Sequence, residues 1–251
     1  MGGSGKVRAV RAVWLFVFGV VCVWPSSASA YRPFDGTDAD VAQTHEWEFE
    51  MQSVGYYRSE GSEYFVPGGV LNYGLFPRVE LVLQAFAFVR TVSGAGPNRF
   101  TDTGLFAKIV WREGCLQEKE GLSFATETGP LLPTINDTKG FGAYAGGILS
   151  TCFGEALIAH WNAEAQIRPQ AYNLDLFGGV ILEPPPSKYV VRPVVEVFVE
   201  HDFGGIQTYS GLVGGIWRVT EKLALDVAVR EALTAGQSVT EVRAGFSLAV
   251  P

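Results

Sequence analysis

The side chains with types suited to chemistry fall into two groups in this sequence, histidines and alternating charges. His45, His160 and His201 are its three histidines, and none stands at a metal-ligand spacing from another His or from a Cys. No metal site is expected. A barrel hydrolase would need a Ser–His–Asn/Asp arrangement on its outer surface. His160 and Asn162 fall instead on the polar face of their segment. Gly146-Gly147 and Gly214-Gly215 sit inside strand-like segments and lack the Lys and following helix of a phosphate-binding loop. Neither a catalytic residue nor a cofactor is expected. The charges are more informative, because they recur at every second or fourth position. Glu46, Glu48 and Glu50 alternate with Trp47, Phe49 and Met51. Glu80, Glu164, Arg192, Glu196, Arg218, Arg230 and Arg243 lie on similarly alternating segments. Period two puts each set on one face of a strand. Facing carboxylates and guanidiniums either pair as structure or line a path for a solute.

These charges need a scaffold of strands. From residue 45 onward the chain reads as about twelve alternating segments, near 45–58, 62–75, 78–92, 100–113, 121–133, 141–153, 156–168, 172–183, 188–201, 206–219, 222–234 and 238–250. Each is long enough to hold a membrane strand of about 9–11 residues. Short connections rich in Gly, Pro, Asn and Asp separate them, so neighbours are expected to be antiparallel. Pro130 and Pro193, each inside a segment, remove ladder donors. An even-numbered meander closes as an up-and-down barrel or folds as a sandwich.

In either case one face of each strand is almost free of charge. A soluble fold would bury that face, whereas an outer-membrane barrel would turn it to lipid. Three features favour lipid. The clean face carries many small residues, among them Ala85, Ala87, Ala159, Ala163, Ala165, Gly211 and Gly215, which fill a dry core poorly. Trp47, Tyr73, Trp111, Phe153, Tyr189 and Trp217 fall at strand ends on the side of both termini, as an interfacial girdle would. Trp161, mid-strand, stands outside that girdle. The other face carries charges of both signs. The expectation is therefore an all-β, antiparallel up-and-down transmembrane β-barrel of about twelve strands, with the ten charged residues named above lining its lumen. On the segment from Val79 to Arg90, Val79, Leu81, Leu83, Ala85, Ala87 and Val89 then face lipid, and Phe86 and Phe88 face the lumen.

Lys6, Arg8 and Arg11, an apolar run over 12–24 and Ala28-x-Ala30 read as a cleaved signal peptide over 1–30. Without those three, 16 Lys and Arg stand against 26 Asp and Glu, a balance of −10 that argues against nucleic acid. Residues 31–44 lack periodicity and read as a loose periplasmic segment, leaving 45–251 as the barrel. Cys115 and Cys152 could pair in an oxidising compartment.

The start Arg32-Pro33-Phe34-Asp35-Gly36-Thr37-Asp38-Ala39-Asp40 resembles the opening of the outer-membrane proteins grouped under the MetA pathway of phenol degradation. Glu46-Trp47-Glu48-Phe49-Glu50 is similar to that family's first strand, and Asn72-Tyr73-Gly74-Leu75 with Arg78-Val79-Glu80-Leu81 to its strand–turn–strand. The resemblance implies an outer-membrane transporter for small aromatic or hydrophobic compounds. Its partners would be outer-membrane lipid, the outer-membrane assembly machinery and a small solute. Such barrels usually end in an aromatic residue, whereas this chain ends Phe246-Ser247-Leu248-Ala249-Val250-Pro251. A structural barrel without transport and a soluble secreted binding module remain as alternatives.

Overall fold

The computed structural model describes residues 33–59, 62–91, 98–134, 139–169, 172–186 and 189–251. The signal-peptide reading of 1–30 lies outside these residues. The described chain is built from antiparallel strands: β1 (Trp47–Ser59), β2 (Ser62–Phe65), β3 (Gly68–Phe76), β4 (Val79–Arg90), β5 (Arg99–Arg112), β6 (Ser123–Leu131) and β7 (Gly142–Phe153), followed by β8 (Leu157–Ile167), β9 (Leu174–Glu183), β10 (Val191–Asp202), β11 (Ile206–Arg218), β12 (Leu223–Thr234) and β13 (Gln237–Val250). Each strand from β4 onward pairs with the next, and β13 returns to β1, from Trp47↔Val250 to Ser59↔Val239. The sheet is a closed barrel.

The thirteen strands make twelve staves. β2 and β3 both lie between β1 and β4, one after the other, and form one interrupted stave. The break falls at Pro67, which has no N–H for a ladder. The surrounding groups are still satisfied. Val66 N donates to Gly55 O (2.7 Å), Gln52 Nε2 donates to Val66 O (2.6 Å) and Ala87 N donates to Pro67 O (2.8 Å). The other two strand prolines are accommodated where a ladder is already missing. Pro193 pairs with Gly215 on β11, but β9 begins its pairing with β10 only at Val195↔Leu182. Pro130 sits in a gap of the β5–β6 pairing, between Gly104↔Leu131 and Ala107↔Thr128, where no pair is formed. Neither proline leaves a neighbour's carbonyl stranded in a continuous ladder.

Both termini and the turns after β3, β5, β7, β9 and β11 share one end of the barrel. The turn after β5 is the longest there and holds a short 3₁₀ turn, Cys115–Gln117. A disulfide joins Cys115 to Cys152 near the end of β7, with Cα atoms 6.0 Å apart, so the two cysteines do pair. Glu113 in this turn accepts from Arg78 and Lys119, and these two cations hold its carboxyl below the usual range.

Residues 33–44 overturn the expectation of a loose segment. They lie inside the barrel. The chain enters β1 through a tight contact with β3: Thr44 bridges Gly74, His45 N donates to Gly74 O (2.7 Å) and Gly74 N donates to Glu46 O (3.0 Å). A Cβ on Gly74 would sit 2.0 Å from Gln43 O, so only glycine admits this approach. Replacing Gly74 by Val should displace the entry of residues 42–44 at a cost of about 1–3 kcal/mol. Limited proteolysis should then cut the N-terminal segment about tenfold faster, while the barrel keeps its heat-modifiable gel mobility.

Candidate channel lumen

The alternation of sequence becomes a literal inside and outside. Even-numbered residues of β10, Arg192, Val194, Glu196 and Phe198, are buried within the barrel, while Val195, Val197 and Val199 face out. Val79, Leu81, Leu83, Ala85, Ala87 and Val89 alternate with lumen residues in the same way: Glu80, Val82, Gln84, Phe86 and Phe88 all border the interior cavity. On the outside, exposed aliphatics such as Leu83, Leu105, Val197, Val213 and Val227 form an apolar band.

Aromatic residues flank that band at both ends. At the termini end, Trp47, Trp111, Phe153, Tyr189 and Trp217 are exposed. Tyr73 packs on Trp47, with ring centroids 4.4 Å apart, and its hydroxyl lies 3.2 Å from His45 Nδ1. Trp161 reaches this group after all, edge-on to Phe153 at 6.5 Å. A second set at the far end, Phe100, Phe141, Tyr172, Phe203 and Tyr209, is equally exposed. Phe141, Tyr172 and Phe203 of this set lie outside the strands, beyond the alternation that reveals the first set.

The lumen is built around the N-terminal segment. Its backbone has no ladder of its own, and side chains from the wall supply the partners. Asp35 N and Gly36 N donate to the two oxygens of Glu196 (2.9 and 2.8 Å). Thr37 N donates to Asn162 Oδ1 (3.0 Å), and Asn162 Nδ2 donates back to Thr37 O (2.9 Å). Ala39 N donates to Ser150 Oγ (3.1 Å), and Ala42 N to Glu80 Oε2 (2.5 Å). Arg243 Nη1 donates to Pro33 O (2.9 Å). Gln117 Nε2 donates to Ala39 O (2.9 Å) and Asp40 Oδ1 (3.0 Å). The partners follow the wall from β13 through β10, β8, β7, β5 and β4 to β3. The segment therefore runs as an arc around the inner circumference. Apolar contacts seat it as well: Phe34 packs on Val194, Ile216 and Ala224, and Ala39 joins Val110, Ala125 and Ile148. Burial and the nearby Asp38 push the Asp40 carboxyl above its ordinary range.

Charge pairs complete the interior. Lys108 Nζ donates to Thr37 Oγ1 (3.2 Å) and Asp38 Oδ1 (3.3 Å). Arg243 Nη2 binds Asp35 (3.0 Å) and Glu241 (2.9 Å), and Arg230 Nη1 binds Glu241 (3.1 Å). Arg192 Nη1 binds Glu183 (2.7 Å). Behind the segment, Ser150 Oγ lies 2.8 Å from His160 Nδ1, and His160 Nε2 lies 3.4 Å from Glu183 Oε1. This Ser–His–Glu order resembles a hydrolase relay, but Ser150 and His160 have no exposed surface and Ser150 Oγ is already engaged by Ala39 N. It ties β7, β8, β9 and β10 together.

Of the ten charged residues expected along the lumen, Glu48, Glu50, Glu80, Glu164, Arg230 and Arg243 border a cavity of about 870 Å³. Glu196 and Arg192 also point inward, but Glu196 is covered by the N-terminal segment and Arg192 is buried against Glu183. Arg218 corrects the pattern: it closes β11 at the termini end and is exposed there. Glu46 precedes β1 and serves the entry contact through its backbone, away from the cavity. Lys108, Glu127 and Glu241, which the alternation puts on the same charged face outside the ten, border the cavity too. Asp35 and Asp38 carry no periodicity to reveal them.

The cavity extends from the N-terminal segment to the far end of the barrel, where Arg99, Arg168, Asp202 and Ile206 border it. Among the described residues its lining includes twelve carboxylates, from Asp35 to Glu241, against five Lys or Arg, so its field is negative. One side is aromatic. Tyr57, Tyr64 and Phe88 meet edge to face at 5.7–5.9 Å, with Arg90 over Tyr64 and Arg99 over Phe88. A second cavity of about 300 Å³ opens at the termini end, beside Pro77, Arg78 and Glu113. Asp40, Val41 and Ala42 line both. They are the partition between the two.

A closed antiparallel barrel with an apolar exterior, aromatic flanks and a charged, partly filled interior has the architecture of outer-membrane channels. No protein-family profile and no curated protein sequence matches the chain. Solved structures do resemble it. The COG4313 outer membrane channel from Pseudomonas putida F1 superposes with a TM-score of 0.59 at 10% identity, over 87% of this chain and all of that one. The KdgM porin in complex with disordered oligogalacturonate superposes with a TM-score of 0.50 at 8% identity, over 81% of this chain and 98% of that one. At such identities the likeness is one of fold.

The Lys108–Asp38 pair gives a direct test of how the segment is held. Lys108→Ala leaves a buried carboxylate without its cation and should cost about 3–5 kcal/mol. The loss should register as a lower denaturation midpoint of the refolded barrel in detergent.

Proposed function

We propose that this chain is a passive outer-membrane channel for small solutes, narrowed by its own N-terminal segment and selective for cationic and uncharged solutes over anions. The observation that carries the reading is the pair of cavities that meet at Asp40, Val41 and Ala42. A small displacement of three residues would join them into a path. The excess of carboxylates supplies the charge preference. It also separates this lumen from one suited to an oligogalacturonate, a polyanion. The finer reading, membership of the MetA-pathway group with a small aromatic or hydrophobic solute, draws support from Tyr57, Phe86, Phe88 and Phe177 beside the cavity. Export by a cleaved signal peptide and insertion by the outer-membrane assembly machinery complete the proposal.

Planar-bilayer recording tests it. Under a KCl gradient the reversal potential should shift toward that of K⁺. Deleting residues 33–44 should raise single-channel conductance and weaken the K⁺ preference, because Asp35, Asp38 and Asp40 leave while Lys108 and Arg243 lose their partners. No channel events in either protein would instead favour a structural barrel without transport. The membrane placement has its own test. Val213 lies mid-strand on the outer face of β11. Val213→Arg should destabilise the barrel in lipid vesicles by about 2–4 kcal/mol, whereas a soluble barrel would tolerate it.

A further inference from the structure

We infer that the lumen wall around Glu48 is a binding subsite for a primary ammonium group. Glu48 is 7% exposed, borders the large cavity, and its Oε1 has no hydrogen-bond partner among the described residues. A carboxylate so placed calls for a counter-charge or donor. The cations of the neighbouring wall are engaged elsewhere, Lys108 by Thr37 and Asp38 and Arg243 by the first residues of the N-terminal segment and Glu241.

The flanking strands add acceptors. Ser247 on β13 is 1% exposed, and its Oγ likewise has no partner among the described residues. Register sets Ser247 opposite Glu50, two positions from Ala249, which faces Glu48. On the other side of β1, Asn72 of β3 lies directly opposite Glu48. Its Nδ2 donates to Glu50 Oε1 (3.1 Å), which leaves Oδ1 as its acceptor. Carboxylate and amide oxygens from two adjacent strands thus line one patch of the cavity wall, with the Ser247 hydroxyl buried on a third strand beside them. An R–NH₃⁺ group offers three N–H donors and one positive charge. Among the described residues no group of three His, Cys, Asp or Glu is placed to hold a metal ion, so the mixed donor set suits an ammonium ion better than a divalent cation. This subsite rests on the cation-favouring reading of the lumen and gives it a ligand class.

Methylammonium is the probe. The full-length refolded barrel is heated in methylammonium chloride and, separately, in sodium chloride at equal ionic strength, and the midpoint of its heat-modifiable transition is read. Methylammonium should raise the midpoint, and Glu48→Gln, which keeps the volume and removes the charge, should abolish the shift. In bilayers, methylammonium should block the K⁺ current, with a half-blocking concentration about tenfold higher in Glu48→Gln. Ser247→Ala, which retains the carboxylate, should weaken the thermal shift without removing it. Equal midpoints in the two salts, or the same shift in Glu48→Gln as in the unmodified protein, would overturn the subsite. The thermal reading needs no current. A barrel that shows the Glu48-dependent shift yet does not prefer K⁺ would overturn the channel reading alone.

Discussion

No edge of the sheet can be left open, and this constraint governs the rest of the molecule. A strand facing hydrocarbon has no water to satisfy its amides and carbonyls, so the last strand must find the first. The Trp47↔Val250 to Ser59↔Val239 pairing does this along the whole of β1. The prolines obey the same demand. Pro67 divides a stave into β2 and β3, Pro193 lies beyond the end of β9, and Pro130 sits in a gap of the β5–β6 pairing. Each is placed where its missing donor costs no ladder bond.

Inside the barrel the same demand is met differently. The N-terminal segment brings a dozen residues of backbone into the lumen, and apart from the Thr44–Gly74 bridge they pair with no strand among the described residues. Glu196, Asn162, Ser150 and Glu80 act in place of a neighbouring strand. Residues that would serve a wide pore as lining are thereby spent on holding chain. The interior ion pairs do similar duty, with Asp35 between Arg230 and Arg243 and Asp38 on Lys108. The lumen is polar because its contents are backbone.

The barrel was legible in the sequence because its signal is local. Period-two alternation needs only neighbours along the chain, and twelve such segments were visible together with their turns. The orientation of the faces was legible too, since small residues such as Ala85 and Ala163 mark a face that needs no bulk. The N-terminal segment was not legible. Residues 33–44 are recognised by side chains as much as 210 positions away, as in Arg243 with Pro33, and nothing local announces such contacts. For the same reason Arg218 misled: its parity is right, but height along the barrel axis decides whether an inward residue meets a cavity or the rim. The far-end aromatics escaped because most of them, Phe141, Tyr172 and Phe203, lie outside the strands, where alternation says nothing.

The arc of the N-terminal segment has a mechanical meaning. Its attachments to Glu196, Asn162, Lys108, Ser150 and Glu80 follow one another along the chain, each on a different strand. Load applied at residue 33 would reach them in series, so they would yield one after another like the teeth of a zip. Load applied through the barrel wall would meet the continuous β12–β13 and β10–β11 ladders in parallel. One polypeptide thus combines a stiff shell with a lining that peels.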